Sequence, residues 1–180
     1  MLRTTLTYGA VAGLIATAPM GLMMTLGDFG QASHSMITGY AVMLLAFSLI
    51  FVGVKRYRDR ALGGVIRFLP ALLTGLGISI VAGIIYVIGW EITLALTDYA
   101  FMNDYAAAMV EAARARGAPA AELAKIVEDM EAMKVSYANP FLRLPMTFVE
   151  IFPVGLLVSI VTAALLRNSR FLPLKTSGPA

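Results

Sequence analysis

Glu91 and Glu150 are the two ionisable residues that fall in or at the edge of the long apolar stretches of this 180-residue chain. Charged groups are costly in such surroundings, so acids there are candidates for proton, cation or small-ligand chemistry. Arg143, Thr147 and Glu150 recur at i, i+4 and i+7, which puts them on one helical face and lets Arg143 reach toward Glu150. Trp90 adjoins Glu91, and His34 and Asp28 fall in a nearby connection between apolar stretches. Glu91, Glu150, Arg143, His34, Asp28 and Trp90 therefore form a candidate pocket for a ligand or ion. Two readings of it stand side by side: an ion-paired or hydrogen-bonded acid that locks one helix to its neighbours, and an outward-facing polar pocket.

Other chemistry has less support. A lone His with scattered carboxylates could bind a transition metal, but no HxxxH or HxxE spacing occurs, so no metal site is assigned. Met20, Met23, Met24 and Met36 invite a thioether–copper site, yet methionine is also an ordinary filler of apolar gaps. The chain has no Cys, which excludes disulfides, thiolate metal centres and a Cys nucleophile. It carries no GxSxG, SxxK, P-loop or dinucleotide fingerprint, and nothing calls for a cofactor. An intramembrane enzyme would have to work with Glu91, Glu150, His34 and Asp28 alone.

The elements that position these residues are apolar. Hydrophobic residues make up 59% of the chain and the mean hydropathy is +0.79, too apolar for a water-soluble surface at this size. Residues 6–26, 36–54, 69–96 and 144–166 are each close to or above the roughly 20 residues that cross a bilayer as an α-helix. The expected fold is an all-α polytopic membrane protein, one domain over 1–180 with four spans. The first span is expected to stay uncleaved although Ala16-Thr17-Ala18 resembles a signal-peptidase motif, because Pro19 follows and apolar residues continue to Leu26.

Of the 14 basic residues, nine (Arg3, Lys55, Arg56, Arg58, Arg60, Arg67, Arg167, Arg170 and Lys175) fall on one side if the spans alternate. By the positive-inside rule that side, with both termini, is the cytoplasm. The formal charge of +3 is then explained by topology and lipid headgroups and implies no nucleic acid. Lys55, Arg56, Arg58 and Arg60 read as the anchor of a short cytoplasmic turn, with binding of an acidic partner or phosphorylated headgroup as the alternative. Asp59 is expected to pair with a neighbouring Arg.

Residues 97–140 form an insert on the outer side. Phe101, Met102, Tyr105, Met109, Val110 and Ala113 recur at helical spacing, then Gly117-Ala118-Pro119 breaks the pattern, and Leu123, Ile126, Val127 and Met130 make a second apolar stripe. An external amphipathic helical hairpin between spans three and four follows, closed by Asn139-Pro140. It holds seven acidic and four basic residues, so anionic lipid attracts it weakly; folding back over the bundle or binding a partner suits it better.

Small residues recur every fourth position: Gly9, Gly13, Thr17 and Gly21; Gly75, Ser79 and Gly83; Gly155, Ser159 and Ala163. Such stripes let helix backbones approach where lipid supplies no hydrophobic drive, and spans one, three and four are expected to pack tightly. The same stripes could pair two copies of the chain. Span two, with Leu44, Leu45, Phe47, Leu49 and Phe51, is expected to face lipid.

Phe51-Val52-Gly53-Val54-Lys55-Arg56-Tyr57-Arg58-Asp59, Tyr86-Val87-Ile88-Gly89-Trp90-Glu91, and Tyr137-Ala138-Asn139-Pro140 leading to Thr147-Phe148-Val149-Glu150-Ile151-Phe152-Pro153-Val154-Gly155 resemble the bacterial membrane family known as domain of unknown function 4199. The resemblance runs from about Thr5 to Leu172. It implies four spans in the bacterial inner membrane with a helical insert before the last, and brings no activity, cofactor or catalytic residue. The functional expectation is a non-catalytic membrane module that binds a partner, lipid or itself through its insert and small-residue faces. A small transporter or proton-coupled carrier using Glu91 and Glu150 is the alternative.

Overall fold

The computed structural model describes residues 1–25 and 36–174, with six helices and no strand among them. These are α1 (Leu2–Thr25), α2 (Met36–Ala61), α3 (Phe68–Leu96), α4 (Phe101–Ala115), α5 (Ala120–Ala138) and α6 (Pro140–Leu166). Gly39–Ala61, Phe68–Leu96 and Pro140–Leu166 are each long and apolar enough to cross a membrane. On α3 the exposed residues include Leu69, Leu73, Ile80, Ile84, Ile88, Ile92 and Leu96, an apolar ridge along one side of the helix. Water would not tolerate that ridge on a monomer, whereas hydrocarbon does.

Helix α3 is the centre of the bundle, packed most extensively against α1 and α6, with α2 touching all three. The small-residue stripes are the reason. A Cβ added at Gly9 would sit 2.9 Å from the Ile78 carbonyl oxygen, and one at Gly13 would sit 2.8 Å from that of Ala82. Gly21 lies beside Thr93, so α1 and α3 rise together in parallel. Between α3 and α6, Gly75 lies against Ser159 and Gly155 against Ser79. The two serine hydroxyls, fully buried, are 3.1 Å apart, and they donate to the Gly75 and Gly155 carbonyls at 3.0 and 2.7 Å. That satisfies both hydroxyls inside an apolar core, where an unmet one would be costly.

Helix α2 departs from expectation in two respects. It does not simply face lipid: Leu44 and Leu45 are exposed, but Phe47, Ala46, Ile50 and Val54 are fully buried against the other helices. It also runs seven residues past the expected end at 54, through the basic cluster to Ala61, because Lys and Arg propagate a helix well and Lys55 pairs with Asp59 one turn on. Arg58 is not a solvated anchor. It is fully buried, pairs with Asp59, and donates to the carbonyls of Phe171 and Leu172, tying the segment after α6 to the end of α2.

Local chemistry fixes the other boundaries. Gly117, at φ +74°, ends α4; its N–H bonds to the Arg114 carbonyl and that of Ala118 to Ala113, a Schellman closure that a side chain at 117 would strain. Helix α6 begins at Pro140, four residues before the expected 144, since Asn139 caps it by accepting from the Phe141 N–H at 3.0 Å.

Candidate functional site

The insert is moored to the bundle through one cluster built from five elements. Arg143 lies in the first turn of α6 and is 4% exposed, while Glu91 lies within the last two turns of α3. The two helices run antiparallel, so these ends meet. Arg143 Nε donates to Glu91 Oε1 and Nη2 to Oε2, each at 2.7 Å, the bidentate fork that guanidinium and carboxylate form best. The remaining Nη1 donates to the Tyr137 carbonyl at the end of α5, at 2.8 Å. The rings of Tyr99 and Tyr137 flank the guanidinium with centroids 5.4 and 5.6 Å away, cation–π contacts that strengthen as water is excluded.

Aromatic packing extends the cluster. Trp90, 5% exposed, donates its indole N–H to the Tyr137 hydroxyl and meets Phe101 of α4 edge-on at 4.9 Å. Burial pushes the Tyr137 phenol above its ordinary range, only partly opposed by the Trp90 hydrogen bond, so it stays neutral at physiological pH. Tyr99 is placed by an unusual corner: Asp98 and Tyr99 both have positive φ, 50° and 55°, which costs side-chain-bearing residues about 1 kcal/mol each. The Tyr99 N–H bonds the Leu94 carbonyl at 2.8 Å, holding that corner closed.

Glu91, Arg143 and Trp90 lie in one cluster, in which the arginine's hydrogen-bonded partner is Glu91 and not Glu150. Side chains on a helix lean toward its N-terminus. Arg143 therefore points to Asn139 and the end of α5, away from Glu150, which lies about 10 Å further along the axis at 1.5 Å per residue. Glu150 is exposed and has neither ion pair nor hydrogen bond among the described residues. His34, Asp28 and Lys175 lie outside the described residues, as do the side chains of Met20, Met23, Met24 and Met36. Among the described residues no three His, Cys, Asp or Glu side chains converge as a metal site requires.

A family model for proteins of unknown function, DUF4199, matches residues 7–168. The chain belongs to this family. No curated protein and no solved structure matches it. The matched segment of this DUF4199 chain takes in the whole Glu91–Arg143 cluster and the helices that carry it.

Sequence reasoning missed Tyr99, Phe101 and Tyr137 as members of the cluster. Tyr137 had one available signal: it falls just before a helix cap, and an aromatic near an interfacial Trp and an Arg is a natural packing partner. Both Glu91 oxygens accept from Arg143, so the geometry binds the ends of α3, α5 and α6 together. Grooves open elsewhere among the described residues of this DUF4199 chain, including about 610 Å³ between α4 and α5, about 520 Å³ where α5 meets α6, and about 420 Å³ at the basic end of the bundle. Glu91, Arg143 and Glu150 line none of these grooves.

Proposed function

We propose that this protein is a non-catalytic membrane module that holds the α4–α5 pair rigidly over the outer end of a four-span bundle and offers it to a partner. In this reading α1 is the fourth span, both termini are cytoplasmic, and the membrane is the bacterial inner membrane. The backbone-level fit of Gly9 and Gly13 to α3 supports a membrane-crossing α1, since a helix so closely and so extensively matched to a span shares its solvent. The one-sided distribution of arginine and lysine supports the orientation.

The observation that carries the reading is the pairing of a rigid mooring with an uncovered surface. Helix α5 has no buried residue, and Val127, Met133 and Val135 on it are exposed, as are Tyr105 and Met109 of α4. The same helix carries Glu122, Glu128, Asp129 and Glu131. Exposed apolar side chains interspersed with acids fit a partner with apolar and basic groups. Because the chain has no cysteine, Val127→Cys gives a single reactive site. An impermeant maleimide carrying a photo-reactive diazirine, attached in intact cells and then irradiated, should link it into one discrete larger species, while Leu45→Cys gives none. Recovery of monomer alone from Val127→Cys would sink the proposal.

Glu150 favours a second reading, a small proton-coupled carrier acting as several copies, because an unpartnered acid on an apolar helix is the usual mark of a proton path. Under the module reading, liposomes holding the protein dissipate an imposed pH gradient no faster than empty ones, and Glu150→Gln changes nothing. A proton flux abolished by Glu150→Gln would replace the first reading with the second.

A further inference from the structure

The groove at the basic end of the bundle is lined by Arg3 and Thr4 of α1 and by Arg56, Tyr57 and Arg60 of α2, with Tyr8 between them, and no acidic residue borders it. Arg3, Arg56 and Arg60 have no carboxylate partner among the described residues, whereas Lys55 and Arg58 on the same helix share Asp59. Arg56 and Arg60 stand one turn apart, a like-charge spacing that destabilises a helix unless an anion answers it. The Tyr8 hydroxyl accepts from Arg56 Nη1 at 3.1 Å, which aims that guanidinium across the groove. Directly above the charges the surface turns apolar, with Leu6 one turn from Arg3 and Val52 one turn from Arg56, each about half exposed.

From this geometry we infer that Arg3, Arg56 and Arg60 form a binding site for a phosphate-bearing anion, and that the anion is the headgroup of an anionic phospholipid whose chains lie along Leu6 and Val52. Guanidinium forks match phosphate oxygens, and a groove of about 420 Å³ admits a glycerophosphate headgroup. This site lies at the opposite end of the bundle from the Glu91–Arg143 cluster and does not depend on what the α4–α5 pair binds.

The test is native mass spectrometry of the full chain released from micelles that contain phosphatidylglycerol or phosphatidylcholine with the same acyl chains. The wild-type protein should retain phosphatidylglycerol at least tenfold more than phosphatidylcholine. Arg56→Gln and Arg60→Gln should each lower that preference about fivefold, and Thr4→Glu, which puts a carboxylate into the groove without touching an arginine, should abolish it. The double variant Arg167→Gln/Arg170→Gln removes two basic residues outside the groove and should leave the preference intact. Equal retention of the two lipids overturns the lipid assignment, and an equal loss in the Arg167/Arg170 variant overturns the site in favour of diffuse attraction. Millimolar inorganic phosphate serves as a second probe. If it binds with the same dependence on Arg56 and Arg60 while phosphatidylglycerol shows no preference, the anion site stands and its ligand is soluble.

Discussion

Replacing Arg143 with methionine should cost about 3 kcal/mol and release the α4–α5 pair from the bundle. Breaking a buried ion pair by deleting one partner typically costs 3–5 kcal/mol because the other charge is left unanswered. The low end applies, since the Glu91 side chain keeps 26% of its exposure and water can reach it. The variant also strips the Tyr137 carbonyl of its donor and removes the cation between Tyr99 and Tyr137. Glu91→Gln retains a neutral acceptor for the fork and should cost less than half as much. The double change Glu91→Leu/Arg143→Met should be milder than Arg143→Met alone, because no orphaned charge remains. Thermal unfolding in micelles gives the order, and limited proteolysis at the Arg114–Arg116 turn should accelerate in Arg143→Met while cleavage within the bundle does not. Unchanged proteolysis in Arg143→Met would mean that Trp90, Phe101 and Tyr137 hold the pair unaided and that the ion pair contributes little.

That cluster also marks where the sequence could and could not be read. Glu91, Arg143 and Trp90 were accessible because charged and aromatic residues stand out against apolar helices, and the spans flanking them have lengths that bring those ends together. The identity of the pair was not accessible from spacing on α6 alone. A helical wheel places Arg143 and Glu150 on one face, but it contains no axial direction, and the lean of side chains toward the N-terminus carries Arg143 the other way. Phe47 and Arg58 failed for a related reason. Both belong to types common at lipid and headgroup surfaces, yet Phe47 fills the space left by Gly155, and Arg58 finds the carbonyls of Phe171 and Leu172, more than 110 positions away. Contacts of that range have no local signature. The small-residue stripes did, because close approach imposes its requirement on every turn of both helices, and the fourfold period survives in the sequence.

Gly13 is one of the positions in those stripes with no room for a side chain. A methyl group there would meet the Ala82 carbonyl oxygen at 2.8 Å and Ile85 Cβ at 2.8 Å. A carbonyl inside a helix cannot rotate away as a side-chain tip can, so the whole of α1 must lift from α3. Overpacking of this kind costs about 1–3 kcal/mol for added methylenes; Gly13→Ala should fall within that range, and Gly13→Leu should exceed it by separating the helices along several turns. The loss is not offset in a bilayer, where separated helices exchange their contact for lipid of equal apolarity. Gly39 supplies the comparison, since an added Cβ there meets nothing within 4 Å. On α2 the Gly39→Ala change should be neutral or stabilise by up to about 1 kcal/mol through helix propensity. Unfolding of the two alanine variants in mixed micelles separates fit from propensity. A Gly13→Ala protein as stable as wild type would show that α1 rides loosely on α3, and with that the case for α1 as a span packed against α3 would lose its main support.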